Sequence, residues 1–377
     1  MHSVQYFPEV IPLFEAYTYL TQRFAVDRTA DRIRYYESRK DQISHKKWTY
    51  FERIAELQNE LDELIAADGL LEHYFTPLKT KEHMPDRRPI TLGGMLLYPP
   101  PGFEYPFSFE GLMKYCEGAE QQALLDCYYG ATLAPFYTDN CEMDKVSMSF
   151  IISAVNSILV DTEDKWAIID CISNPLEHLE KLRPIVTRVI DYIKEKSVEF
   201  SDIIAEEMGA FCAPNAVFGN LGSIMHAEIR PKDFASAKAF VSLLSFNGVE
   251  LSYKLESLEY NRIVLGIFLN TIIELRSEEN NADVHIKLLK MLSDRNRFKI
   301  LHELCGRESY GQELADKFGG ARSGIYYHLE KLLGYGLIDV RMTEYRTLYK
   351  MNRQNVYDNL TALRDYLVDG WKPENAE

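Results

Sequence analysis

Apolar residues recur along most of this chain at three- and four-residue intervals, the period of a helix with one buried face. From residue 27 to 67 the spacing predicts one long amphipathic helix with Ile54, Leu57, Leu61 and Leu64 on a single stripe. A stripe of that kind is expected to pack on its own domain core, with a partner seam as the alternative. The helical period continues from residue 177 to 208, with a break expected at Pro184, where the ring removes a backbone donor and crowds the preceding turn. Residues 223–229, 249–255 and 262–269 carry strand-like runs bounded by Pro231, Asn247-Gly248 and Tyr260-Asn261. The proline-rich stretch from Tyr98 to Phe109 is expected to be irregular, either an extended crossing between helices or a lid over a ligand.

The pattern is clearest in the last quarter. Residues 292–301 read as a short helix. Ser309 precedes Tyr310-Gly311-Gln312, which predicts a helix capped by Ser309 with Gln312 at its third position and running to Phe318. Gly319-Gly320 supplies the permissive backbone of a tight turn, and a second helix restarts near Ala321. On that helix Ile325, Leu329, Leu332 and Leu333 fall on one side, and Ser323, Tyr327, Glu330 and Lys331 on the other. Arg322 and Tyr326 lie on the flank. Residues 337–342 and 346–351 read as two strands joined by Thr343-Glu344-Tyr345, a hairpin made basic by Arg341, Arg346 and Lys350. Two helices, a turn, a third helix and a basic hairpin is the order of a winged helix-turn-helix, which sets a helix in a groove of double-stranded DNA. The residues expected at that interface are Arg322, Ser323, Tyr326, Tyr327, His328 and Lys331 on the helix and Arg341, Arg346 and Lys350 on the wing. His328 is expected either to pack while making one phosphate hydrogen bond or to read a base.

These residues resemble the ArsR-type winged-helix transcriptional regulators. The resemblance is carried by Leu292-Ser293-Asp294 with Arg297 and Ile300-Leu301, by Glu313-Leu314-Ala315, by Ile325 through His328-Leu329, and by Leu332, Gly336-Leu337-Ile338 and Tyr349-Lys350. It covers residues 283–370 and implies a homodimer reading an inverted repeat. In that family the last helix packs with the first at a symmetric interface, which here would join Val356, Leu360, Leu363 and Leu367 to Val284, Leu288 and Met291. The chain departs from the family's metal sensors. Cys305 stands alone and residues 355–368 contain no histidine, so a thiolate metal site is not expected. Gly324 stands where the family often has threonine, and the wing tip lacks the usual glycine.

Length and charge add a second part. With 377 residues the chain exceeds one winged helix, and the expected organisation is a mostly helical N-terminal domain with a small sheet over 1–277, a linker at 278–282, the winged helix at 283–370 and a polar tail at 371–377. The fold class expected is mainly α with minor β. Net charge is −15, which taken alone opposes binding to phosphate backbones. The charge is uneven: residues 281–377 carry 15 basic and 14 acidic side chains, and between Lys287 and Arg353 there are 13 basic against 8 acidic. A modestly basic reader on an acidic body predicts weak, salt-sensitive binding without dimerisation. Six dispersed cysteines with no CxxC, no apolar run of membrane length and no leader-like start give the expectation of a reduced, cytoplasmic protein with no membrane partner.

HExxH, a P-loop and GxSxG do not occur. His226-Ala227-Glu228 matches half of a zinc-deaminase signature without its Pro-Cys-x-x-Cys, and reads better as an ordinary strand. Asp161, Glu163 and Asp164 read as a solvated turn rather than as paired catalytic carboxylates. The expectation is a regulator that is not an enzyme and has no cofactor, with an N-terminal domain that binds a small-molecule or protein effector or only dimerises. The alternative is a scaffold or enzyme domain carrying a winged helix repurposed for protein contacts.

Overall fold

The computed structural model describes residues 4–25, 28–66, 68–78, 90–100, 103, 107–128, 146–157, 160–213, 217, 220–221, 234, 237–253, 260–277, 281–319, 322–342 and 347–368. The chain divides into two compact units. One comprises Met1–Ala213 with Phe234–Thr271, the other Pro214–Asp233 with Ile272–Glu377.

The first unit is helical around a small sheet. Its helices are α1 (Pro12–Gln22), α2 (Thr29–Tyr35), α3 (His45–Ile65), α4 (Leu70–Phe75), α5 (Leu92–Leu97), α6 (Phe109–Gly118), α7 (Gln121–Tyr128), α8 (Met148–Ser157), α9 (Thr162–Ser173), α10 (Pro175–Lys196) and α11 (Ser201–Phe211). Four strands, β1 (Gln5–Val10), β2 (Lys238–Ser242), β3 (Val249–Tyr253) and β4 (Tyr260–Gly266), pair in the order β1-β2-β4-β3. The first two ladders are parallel and the last is antiparallel. Strands β3 and β4 lie close to the ranges the sequence predicts. The predicted strand at 223–229, with His226, falls outside the described residues, and β1 and β2 were not anticipated. The division between the units falls at Ile272, within α12 (Leu269–Ser277).

Two helical expectations are corrected. The single helix predicted over 27–67 is α2, a 3-10 stretch at Tyr36–Gln42 and α3. The restart is built by Ser44, whose side chain accepts the Lys47 N–H and caps α3. Three residues of the stripe are core, as expected: Ile54, Leu57 and Leu61 are completely buried, whereas Leu64 is half-buried and Ile65 takes the buried position at the end of α3. Pro184, expected to break a helix, lies inside α10, which runs unbroken for 22 residues. A proline inside a helix costs ~3 kcal/mol. Leu179, Leu182, Ile185, Val186, Val189 and Ile193 are all completely buried along one face, and each such side chain contributes ~1.5–3 kcal/mol. Packing of that stripe outweighs the lost hydrogen bond. The actual interruption is the 3-10 turn at Ser197–Phe200. Asp161 immediately precedes α9, with Glu163 and Asp164 in its first turn, where carboxylates favour the positive end of the helix.

The second unit contains α13 (Asn281–Ser293), α14 (Arg295–Gly306), β5 (Ser309–Tyr310), α15 (Gly311–Phe318), α16 (Arg322–Gly334), β6 (Ile338–Met342), β7 (Thr347–Met351) and α17 (Arg353–Val368). The strands form an antiparallel sheet in the order β5-β7-β6. Its core gathers Leu288, Ile300, Leu301, Leu304, Leu314, Ile325, Leu329, Leu332, Leu337, Ile338 and Leu363, so every helix of the motif sends residues to one cluster. The helix-turn-helix and wing predicted from periodicity are therefore present, and the molecule is mainly α with minor β.

Candidate nucleic-acid interface

The turn between α15 and α16 begins at Gly319, whose φ of 65° is left-handed. Its N–H donates to the Ala315 carbonyl at 3.0 Å and closes α15. At the other end of α15 the expected cap moves by one residue. Ser309 pairs with Tyr349 in the sheet and is buried, and Tyr310 becomes the cap position. The third residue of the helix is then Glu313, whose carboxylate accepts the Tyr310 N–H at 3.2 Å. Gly311 at the helix start is required by packing, since a Cβ there would sit 2.7 Å from the Tyr326 ring.

That contact concerns one predicted interface residue: Tyr326, expected on the flank of α16, is half-buried against the core cluster and over Gly311. Tyr327 is 39% exposed, and the Lys331 ammonium lies 5.6 Å from its ring centre. Those two, at i and i+4, form the polar outer face that periodicity predicted. Arg322 and Ser323 occupy the first turn of α16, but their side chains are outside the described residues, and Arg346 is outside them altogether.

His328 is held rather than free. Its Nε2 lies 3.4 Å from the Asn296 side-chain amide, and its Nδ1 3.7 Å from an Asp294 carboxylate oxygen. An amide donating to Nε2 leaves the ring proton on Nδ1, which is buried and, beyond hydrogen-bond distance of the carboxylate, makes no hydrogen bond. Burial lowers the imidazole's pKa below its ordinary value, Asp294 opposes that shift, and Arg297 adds to it. Asp294 in turn caps α14, accepting the Asn296 and Arg297 N–H groups at 2.9 Å each. Those bonds, the Arg297 bond foremost, hold its carboxyl below the usual range. Arg297 is committed to structure, donating to the Met291 and Lys290 carbonyls at the end of α13. Sequence reasoning did not single out Asp294 or Asn296 as part of the site. The available signal was Ser293-Asp294 ahead of a helical run, a capping pattern.

On the wing, register places Asp339 opposite Lys350 and Arg341 opposite Leu348. Strand alternation puts these pairs on the face away from Ile338, Tyr349 and Met351, which meet the core. Arg341 donates to Glu308 at 2.6 Å, which ties β6 to the segment before β5 and reduces the free positive charge of the wing. The site thus brings together Tyr327, Lys331 and His328 on α16 with the N-terminus of α14, and holds Arg341 and Lys350 on one wing face.

Val356 and Leu363 on α17 belong to the winged-helix core or pack against it, as does Leu288 on α13. Leu360 is 44% and Leu367 is 67% exposed, and Ile286 and Leu289 on α13 are also exposed. The stripe expected to serve a partner is therefore divided, with half of it used internally. No helix among the described residues is long and apolar enough to cross a membrane.

A protein-family model described as a helix-turn-helix domain matches residues 292–341, the stretch from the end of α13 through α14, α15 and α16 into β6. No curated protein matches the chain. The second unit therefore carries a helix-turn-helix domain, with a wing built directly after it.

Proposed function

We propose that this protein is a sequence-specific, non-enzymatic DNA-binding regulator of transcription, of the ArsR-like winged-helix type, acting as a homodimer. The observation that carries the reading is the outer face of α16, where exposed Tyr327 and half-buried Lys331 follow a first turn containing Arg322 and Ser323, beside a wing that holds half-buried Arg341 and Lys350 on one face. A helix of that composition suits phosphate contact from lysine and base contact from arginine. Dimerisation is supported by the exposed Leu360 and Leu367 of α17 and Ile286 and Leu289 of α13. The N-terminal region, residues 1–277, serves as the effector or interaction domain, and the protein works in the cytoplasm.

The test is selection of bound fragments from the source genome with the purified full chain. The expected result is an inverted repeat with half-sites about 34 Å apart. Affinity should fall with salt at a log-log slope of about −0.9 per phosphate neutralised. No enrichment, together with no retardation of any duplex at low salt, would overturn the proposal. That outcome would favour a winged helix used for protein contacts, a reading to which the exposed Tyr357, Leu360 and Leu367 also lend themselves.

A further inference from the structure

The first unit buries an arginine whose hydrogen bonding is incomplete. Arg262 on β4 is only 2% exposed. Its Nη2 donates to the Pro99 carbonyl at 2.9 Å, and its guanidinium lies 4.9 Å from the Phe14 ring centre and 5.7 Å from that of Phe107. Its Nη1 is buried and makes no hydrogen bond. The aromatic faces attract the cation but accept no N–H in the plane of the fork. Among the described residues no carboxylate comes within ion-pair distance of it.

The neighbours on the sheet sharpen the point. Antiparallel register sets Ser252 of β3 directly opposite Arg262, and parallel register sets Lys238 of β2 opposite it on the other side. Paired positions share a face of a sheet, so lysine, arginine and serine form one row. Ser252 is 3% exposed and its Oγ also lacks a hydrogen-bond partner. Two orphaned polar groups on adjacent strands therefore face the same side. Nearby acids do not supply the missing charge. Burial pushes the Cys127 thiol up to about 12 and raises the Tyr98 phenol, so both are neutral near pH 7. Glu250 stands on the same face, one pair along and opposite Val264, without forming an ion pair with Arg262.

We propose that Arg262 and Ser252 form the anion-binding end of a ligand site in the first unit, and that its ligand is a small organic monocarboxylate with an apolar or aromatic body. A planar carboxylate matches the guanidinium fork and accepts from the serine hydroxyl as well. Phe14, Phe107 and Phe240, whose rings contact one another, provide the apolar wall. Phe107 is half-buried, so that wall reaches the surface. The inference deepens the effector reading of this unit and rests on it for its regulatory meaning.

The experiment titrates the full chain, without DNA, with benzoate, hexanoate, benzamide and inorganic phosphate, reading thermal unfolding and the fluorine signal of 4-fluorobenzoate. Benzoate or hexanoate should raise the unfolding temperature, while benzamide and phosphate should leave it unchanged. Arg262→Gln should abolish the response. Because that variant also alters a buried side chain packed on two aromatic rings, Ser252→Ala is the second probe: it removes a hydroxyl that now bonds to nothing, and should weaken benzoate on the order of tenfold at unchanged stability. A response to phosphate but not to carboxylates, no response to any probe, or benzoate binding undiminished from that of the unsubstituted chain in folded Arg262→Gln or in Ser252→Ala would each overturn the inference. The assay contains no DNA, so a chain that binds benzoate but no operator loses only the regulator reading, and one that binds an operator but no carboxylate loses only this inference.

Discussion

Burial of the His328 imidazole has a measurable cost in acid. Its pKa is lowered in the folded chain, so the proton is bound less well there than in the unfolded chain. The stability contribution is then complete above the ordinary histidine value of about 6.5 and is lost as pH falls through the lowered folded value. Hydrogen-exchange protection of the α16 amides should decline as pH falls below about 6.5, and decline less in His328→Gln; identical profiles would refute this. Arg322→Ala should reduce preference for a selected site by about 1–3 kcal/mol if it makes a bidentate base contact, whereas Arg346→Ala should weaken selected and random duplexes alike. Competition titrations distinguish the two. Cys305 has its carbonyl engaged by Arg353, and no second thiol is near it in sequence. Cys305→Ser should leave DNA affinity unaltered in the presence of zinc, cadmium or arsenite, and a stoichiometric metal lost with that substitution would contradict it.

At the scale of elements, local chemistry and packing contribute separately. Gly319 holds a left-handed backbone that costs other residues ~1–2 kcal/mol, so Gly319→Ala should lower stability by about that amount in a denaturant titration. The glycine, the apolar period of α16 and the alternation of β7 were legible in the sequence because each is a local signal. The cap of α15 was misplaced by one residue because Ser309 is drawn into the sheet by Tyr349, a partner forty positions away in the chain. Tyr326 was placed near the DNA because periodicity gives an angle on a helix but not the neighbour that fills it, here Gly311. Pro184 was misread for a similar reason: a proline rule is local, and the buried face of α10 is not. For α17 the division of its stripe changes the choice of substitution. Leu360→Asp with Leu367→Asp leaves Leu363 in the core and should give a folded monomer with reduced operator affinity. Sedimentation of a still-dimeric double variant would move the interface elsewhere.

At the scale of the whole molecule, the second unit was read almost entirely from sequence and the first only by class. The winged helix is built from neighbours in the chain, whereas the first unit closes its sheet with Gln5 beside Lys238. Neither β1 nor β2 announces that pairing, because each is only five or six residues long and lies far from its partner. The parallel ladder also has a consequence for synthesis. Strand β1 leaves the ribosome more than two hundred residues before β2 and β4 exist to receive it. At ~5–20 residues per second that interval is on the order of ten to fifty seconds, during which the N-terminal strand has no edge to join. Arrested nascent chains ending before β4 should therefore be cut by protease within residues 5–10, and chains carrying β4 clear of the exit tunnel should be protected there. The first unit would then be assembled only as the helix-turn-helix begins to emerge, so the long-lived half-made chain, rather than the finished fold, is where a chaperone would find its work.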